Sequence, residues 1–236
     1  MLGNRINLIN IAEKVLFCIM KNITIENWKT ALNNKYFRYS FIAVIIIFFA
    51  QMSFVSCFQA QIELRNGIDF NDPIMQTFAP VDLDIPTFIA IYTAHLLALF
   101  FAFKKPETFF HFIIGYLFVY LFRIISIYLL PLDPPIDTIV LKDPILYWFG
   151  GGYITKDLFY SGHTASTFLA FLITNNKKAK IYIFIALLVI VAGTLFQKVH
   201  YTVDVYAAFF FSFTAYRLSL FIKNKIIFLC YKEHPK

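Results

Sequence analysis

His200 and Asp204 stand four residues apart at the start of an apolar run, so on a helix they share one face. A carboxylate in that place accepts the imidazole Nδ1–H, fixes the tautomer and leaves Nε2 to attack an electrophile. His163 opens a second apolar run, where an imidazole can protonate a leaving oxygen and later take a proton from an incoming hydroxyl. Ser161 and Gly162 precede it, offering backbone N–H groups and the positive end of a helix to phosphate oxygens, with Gly162 letting the chain come close. Arg123 lies inside a third apolar run; its fork of donors matches phosphate, and a charge in that setting is costly and functional by default. Together these residue types describe phosphoryl transfer through a covalent phosphohistidine. His200 is the nucleophile, His163 the acid and then the base, and Asp204 the orienter. Arg123, Ser161 and Gly162 bind phosphate. Ser161 and Asp204 also suit helix N-caps, and two histidines with an aspartate suit zinc. The phosphohistidine reading needs neither metal nor cofactor, and none is expected.

The elements that must carry these residues are apolar helices. The chain has 236 residues, 59% of them hydrophobic and only 15% charged, where a soluble domain carries about a quarter. Six apolar runs, at 40–58, 86–103, 108–130, 162–175, 180–197 and 203–222, predict six membrane spans. Ahead of them, Leu8, Ile9, Ala12, Val15, Leu16, Ile19 and Met20 fall on one helical face opposite Glu13, Lys14 and Lys21, the pattern of a helix lying in the membrane interface. The expected fold is all-α and polytopic. It comprises an N-terminal amphipathic region over 1–38, a six-span catalytic domain over 39–223 and a tail over 224–236. Cys18, Cys57 and Cys230 are too scattered for a disulfide framework.

The loops alternate in charge. Glu63, Asp69, Asp72, Asp82 and Asp84 follow the first run, and Asp133, Asp137, Asp143 and Asp157 follow the third. Lys104-Lys105, Lys177, Lys178 and Lys180, and Lys223 with Lys225 mark the other side. Basic loops stay cytoplasmic, which predicts cytoplasmic termini and brings Arg123, His163, His200 and Asp204 to one extracytoplasmic face. The net charge of +7 therefore reads as topology, and no nucleic acid partner is expected.

Asp157-Leu-Phe-Tyr-Ser-Gly-His-Thr164 and His200-Tyr-Thr-Val-Asp-Val205 resemble the two signature motifs of the sphingomyelin synthase family. Arg123-Ile-Ile-Ser-Ile-Tyr-Leu-Leu-Pro-Leu-Asp-Pro-Pro135 resembles, more loosely, that family's segment with an Arg ahead of a Pro-containing loop. The resemblance spans roughly residues 115–210. It implies a six-span enzyme of the type-2 phosphatidic acid phosphatase superfamily. Such an enzyme moves a phospho-head group from a glycerophospholipid donor to ceramide or another lipid alcohol and releases diacylglycerol. It also implies head-group choice near Asp157, where Tyr160 would add a cation–π contact to a choline or ethanolamine nitrogen. The Lys and Arg-Pro pair usual in the wider superfamily is absent ahead of Ser161, as is an Arg several residues before His200, which favours the synthase branch over a plain phosphatase. A lipid phosphate phosphatase remains the enzymatic alternative, and a lipid transporter the non-enzymatic one.

Overall fold

The computed structural model describes residues 24–143 and 154–232, so the expected interfacial helix over 6–20 lies outside the described residues, as does the end of the tail. The described residues hold helices, one short 3-10 turn and a single isolated bridge between Ile68 and Leu132, with no strand among them. Six long helices follow in order: α1 Lys35–Glu63, α2 Asp84–Phe103, α3 Pro106–Leu129, α4 Gly162–Ile173, α5 Lys177–Phe196 and α6 Thr202–Lys232. Five of them are long and apolar enough to cross a membrane; α4 is apolar but only 12 residues long. At 1.5 Å per residue α4 reaches about 18 Å, short of a hydrocarbon core of roughly 30 Å. The fourth expected span is therefore a short helix inside the bundle.

Local chemistry sets the helix ends. Asn34 starts α1 by accepting the N–H groups of Tyr36 and Phe37, and Asn176 starts α5 by accepting that of Ala179. Pro106 occupies the first turn of α3, where its missing N–H costs nothing. Ser161 caps α4 through Thr164 N–H.

Packing follows the small residues. Thr87, Ala90, Ala94, Ala98 and Ala102 run down the buried side of α2 at helical spacing. They let α5 approach so closely that a Cβ added to Gly193 would come within 1.9 Å of Thr87 Oγ1. The central core joins α2, α3, α4, α5 and α6 through Phe88, Val119, Tyr160, Leu169, Ile183, Ile190 and Ala208. α1 is peripheral: it packs on α3 and α6 and presents Ile42, Ile46, Ile47 and Phe49 outward. Such a face belongs in lipid, which is as apolar as the side chains it meets.

Candidate active site

The two motifs meet directly. The Ser161 N–H donates to the Asp204 carbonyl at 3.2 Å, which fixes the start of α4 beside the first turn of α6. α6 is capped by two carboxylates. Asp204 Oδ2 accepts Tyr201 N–H at 3.0 Å, and Asp72 Oδ2, reaching from the loop after α1, accepts Thr202 N–H at 2.7 Å. Asp72 Oδ1 also gathers the N–H groups of Ile74 and Met75. Burial alone would raise the pKa of Asp72, but the N–H bonds from Thr202, Ile74 and Met75 outweigh it and hold the carboxyl below its ordinary value.

His200 precedes this helix and is 3% exposed. Its Nδ1 lies 3.5 Å from Asp204 Oδ2, so the two side chains are neighbours as expected, but no hydrogen bond joins them here. His163 stands in the first turn of α4 with its ring edge-on to Phe88, and its buried Nδ1 has no hydrogen-bond partner. A buried donor or acceptor left alone costs about 1–3 kcal/mol, so a ligand atom that pairs with it is favoured by that amount.

Arg123 sits six residues before the C-terminal end of α3, about 9 Å along the axis, and is 4% exposed. Its Nη1 donates to the Tyr160 carbonyl at 2.8 Å, and its Nη2 donates to the Asp157 carbonyl at 3.3 Å and pairs with Asp157 Oδ1 at 2.5 Å. Asp157 Oδ2 accepts a further bond from Gln59 Nε2 of α1 at 2.9 Å. Burial pushes the Asp157 carboxyl up, but the Arg123 guanidinium, with the bonds from Arg123 and Gln59, pulls it below its ordinary value. The guanidinium is thus held by the very loop that leads into α4. Gly162 completes the fit, because a Cβ there would lie 2.1 Å from Arg123 Nη1.

These groups line one cavity of about 350 Å³, with Arg123, Asp143, Asp157, Gly162, His163 and His200 in its wall. Asp204 stands behind His200 and is fully buried. Ser161 is also fully buried, its hydroxyl turned to Thr164, so its contribution to the site is the cap and the backbone tie to Asp204. Tyr160 is placed differently from the expected aromatic contact. Its ring is fully buried, stacks on Phe211 at 4.6 Å and gives its hydroxyl hydrogen to the Val119 carbonyl. It anchors the loop from behind while its carbonyl holds Arg123.

Three contributors were not legible beforehand. Gln59 and Glu63 come from the C-terminal end of α1; Glu63 accepts the N–H groups of Thr155 and Lys156 and the Thr155 hydroxyl, clamping the loop ahead of Asp157. Asp72 comes from the loop between α1 and α2. Asp72 precedes Pro73, which signals a turn, but nothing in its spacing points to Thr202. Among the described residues, no three of His, Cys, Asp and Glu are placed to hold a metal ion together.

A family profile described as PAP2 superfamily C-terminal matches residues 156–220, a little over a quarter of the chain. The matched segment contains Asp157, Ser161, Gly162, His163, His200 and Asp204, and leaves Arg123 outside it. No curated protein matches the chain. The profile match supports the type-2 phosphatidic acid phosphatase superfamily, and with it an integral membrane enzyme of the lipid phosphatase or phosphotransferase kind.

Proposed function

Proceeding from that superfamily, we propose that the chain is a lipid phosphotransferase of the sphingomyelin synthase type, taking a phospho-head group from a glycerophospholipid and giving it to ceramide or a similar lipid alcohol. The observation that carries the proposal is the convergence of His163, His200 and Arg123 on one cavity, with the Ser161–Asp204 backbone bond tying their two loops together. In the first half-reaction His200 Nε2 attacks phosphorus and forms a P–N bond. The P–O bond to glycerol breaks, and His163 gives its proton to the departing oxygen, releasing diacylglycerol. In the second, His163 takes the proton of the acceptor hydroxyl, whose oxygen attacks phosphorus while the P–N bond breaks and His200 is restored. Asp204 keeps the His200 ring in register and offsets the imidazolium charge. Arg123 and the α4 backbone at Gly162 neutralise the phosphoryl oxygens.

Asp157 lines the cavity but already pairs with Arg123 and Gln59. We assign it to the head-group end of the site through that pairing, which sets the position of the guanidinium. Tyr160 supports the same loop from within the core. The proposed orientation keeps both termini cytoplasmic and the cavity on the extracytoplasmic side, following the alternation of basic and acidic loops.

The test is product analysis by mass after incubating purified protein with mixed phospholipids, with and without ceramide and diacylglycerol. The proposal predicts a phosphorylated lipid alcohol that appears only with acceptor, together with diacylglycerol, and loss of turnover in His163→Ala and His200→Ala. Release of inorganic phosphate or free phospho-head group without acceptor would instead identify a lipid phosphate phosphatase using the same residues. Turnover in detergent, with no membrane to cross, excludes a pure transporter.

A further inference from the structure

On the side of the bundle opposite the histidines, two short turns face each other. Lys104-Lys105 joins α2 to α3, and Thr174-Asn-Asn176 joins α4 to α5. They enclose a second cavity of about 270 Å³. Its inner wall is apolar and built from small residues, with Ala98 and Ala102 beside Phe101 and Ile173. Its mouth carries Lys104, Lys105, Thr108, Asn175 and Asn176, and no carboxylate lines it.

The charge there is uncompensated. Neither Lys104 nor Lys105 makes an ion pair among the described residues; the Lys104 ammonium lies instead over the rings of Phe100 and Phe101 at 4.2 and 4.9 Å. Glu107, in the first turn of α3, pairs with neither. The first turn of α5 adds Lys177 and Lys178 and holds no acidic residue, although a helix N-terminus favours negative charge and disfavours cations. Two ammonium groups at the mouth of a partly apolar hollow, with Lys177 and Lys178 and a positive helix end starting next to it, call for an anion with an apolar body. At the depth where membrane helices end, that description fits a phospholipid.

We propose that this cavity binds one anionic glycerophospholipid from the leaflet opposite the candidate active site. Lys104 and Lys105 hold its phosphate, the Asn175 and Asn176 amides stand beside the glycerol, and the Ala98–Ala102 face lies along the start of an acyl chain. The short α4 makes the room, since its last turn ends where α2 and α3 are joined. The site is independent of the reaction at the histidines.

Native mass spectrometry of the purified full-length chain in detergent, titrated with phosphatidylglycerol, phosphatidylcholine or inorganic phosphate, tests this. One saturable equivalent of phosphatidylglycerol is expected, with weaker binding of phosphatidylcholine. At about 1 kcal/mol per lysine, the K104Q/K105Q variant should bind phosphatidylglycerol about 30-fold more weakly. The K223Q/K225Q variant removes the same charge from α6, outside the cavity, and should stay within about threefold of the unsubstituted chain. Thr108→Glu puts a negative charge into the cavity mouth at a helix position that welcomes one, so it should abolish binding without loss of folding. Equal weakening in both lysine pairs would overturn the proposal in favour of diffuse surface charge. Inorganic phosphate binding as tightly as phosphatidylglycerol would overturn it in favour of a small-anion site, and so would full binding in Thr108→Glu.

Discussion

Gly162→Ala is the most informative single change to the candidate site. The added Cβ would lie 2.1 Å from Arg123 Nη1 and 2.7 Å from Cζ. To restore ordinary contact at 3.4 Å the guanidinium must retreat by about 1.3 Å. The bond from Nη1 to the Tyr160 carbonyl, now 2.8 Å, would not survive that movement, and the 2.5 Å pairing with Asp157 would be strained or broken. Bonds to charged groups are worth about 1.5–3 kcal/mol each, and loss of one preorganised donor at a reacting oxyanion costs about 10²–10³ in rate. The expected result is a kcat/KM of the folded fraction lower by about 10²–10³, with a melting temperature lower by roughly 3–12 °C from the lost bond. Turnover of a head-group-labelled phospholipid in mixed micelles measures the first, and thermal unfolding of the same preparation the second. Gly115→Ala is the control: its Cβ would meet only the Leu169 side chain, at 3.0 Å, and activity should hold. A Gly162→Ala enzyme within about threefold of normal kcat/KM would refute the reasoning that Arg123 works from the position it occupies here.

Three further outcomes are expected. Gly193→Ala drives a Cβ to 1.9 Å from Thr87 Oγ1 in the α2–α5 contact, away from the cavity, so unfolding should come earlier by about 1–3 kcal/mol while activity of the folded fraction stays normal. Gln59→Leu removes the bond to Asp157 Oδ2, which should raise the Asp157 pKa and lower turnover by roughly tenfold, with the loss greatest at the acid end of the pH–rate profile. Asp72 has a folded pKa below its unfolded value of about 3.9, so its stabilisation is fully present above that value and is lost as pH falls through the folded pKa. The melting-temperature difference between the unsubstituted chain and Asp72→Asn should therefore be constant near neutrality and shrink below about pH 4.

What the sequence disclosed and what it withheld divide along contact distance. The His200–Asp204 pair and the Ser161-Gly162-His163 start of α4 are local patterns, so spacing alone revealed them. Arg123 was legible because a buried cation in an apolar helix needs a reason. Its partner was not: Asp157 looked like a carboxylate waiting for an amine, and only the fold shows that it binds the guanidinium. Gln59, Glu63 and Asp72 act on residues 98, 92 and 130 positions away, and no periodicity encodes such meetings. Tyr160 was read by its aromaticity as a source of cation–π contact, but a ring that follows Leu158 and Phe159 had an equal claim on the core and went there. The helices are mostly longer than the apolar runs that predict them, as α1 and α6 show, because charged and polar ends continue the helix beyond the hydrocarbon.

The central claim is that His200 carries the phosphoryl group. Head-group-labelled phospholipid is mixed with the purified chain without acceptor, quenched in alkali to preserve a P–N bond, digested and sequenced by mass spectrometry. The account predicts the phospho-head group on the peptide containing His200, discharged when ceramide is added before the quench, and absent in His200→Gln. Label that persists in His200→Gln, or a chain that turns over lipid with His200 never modified, would contradict it.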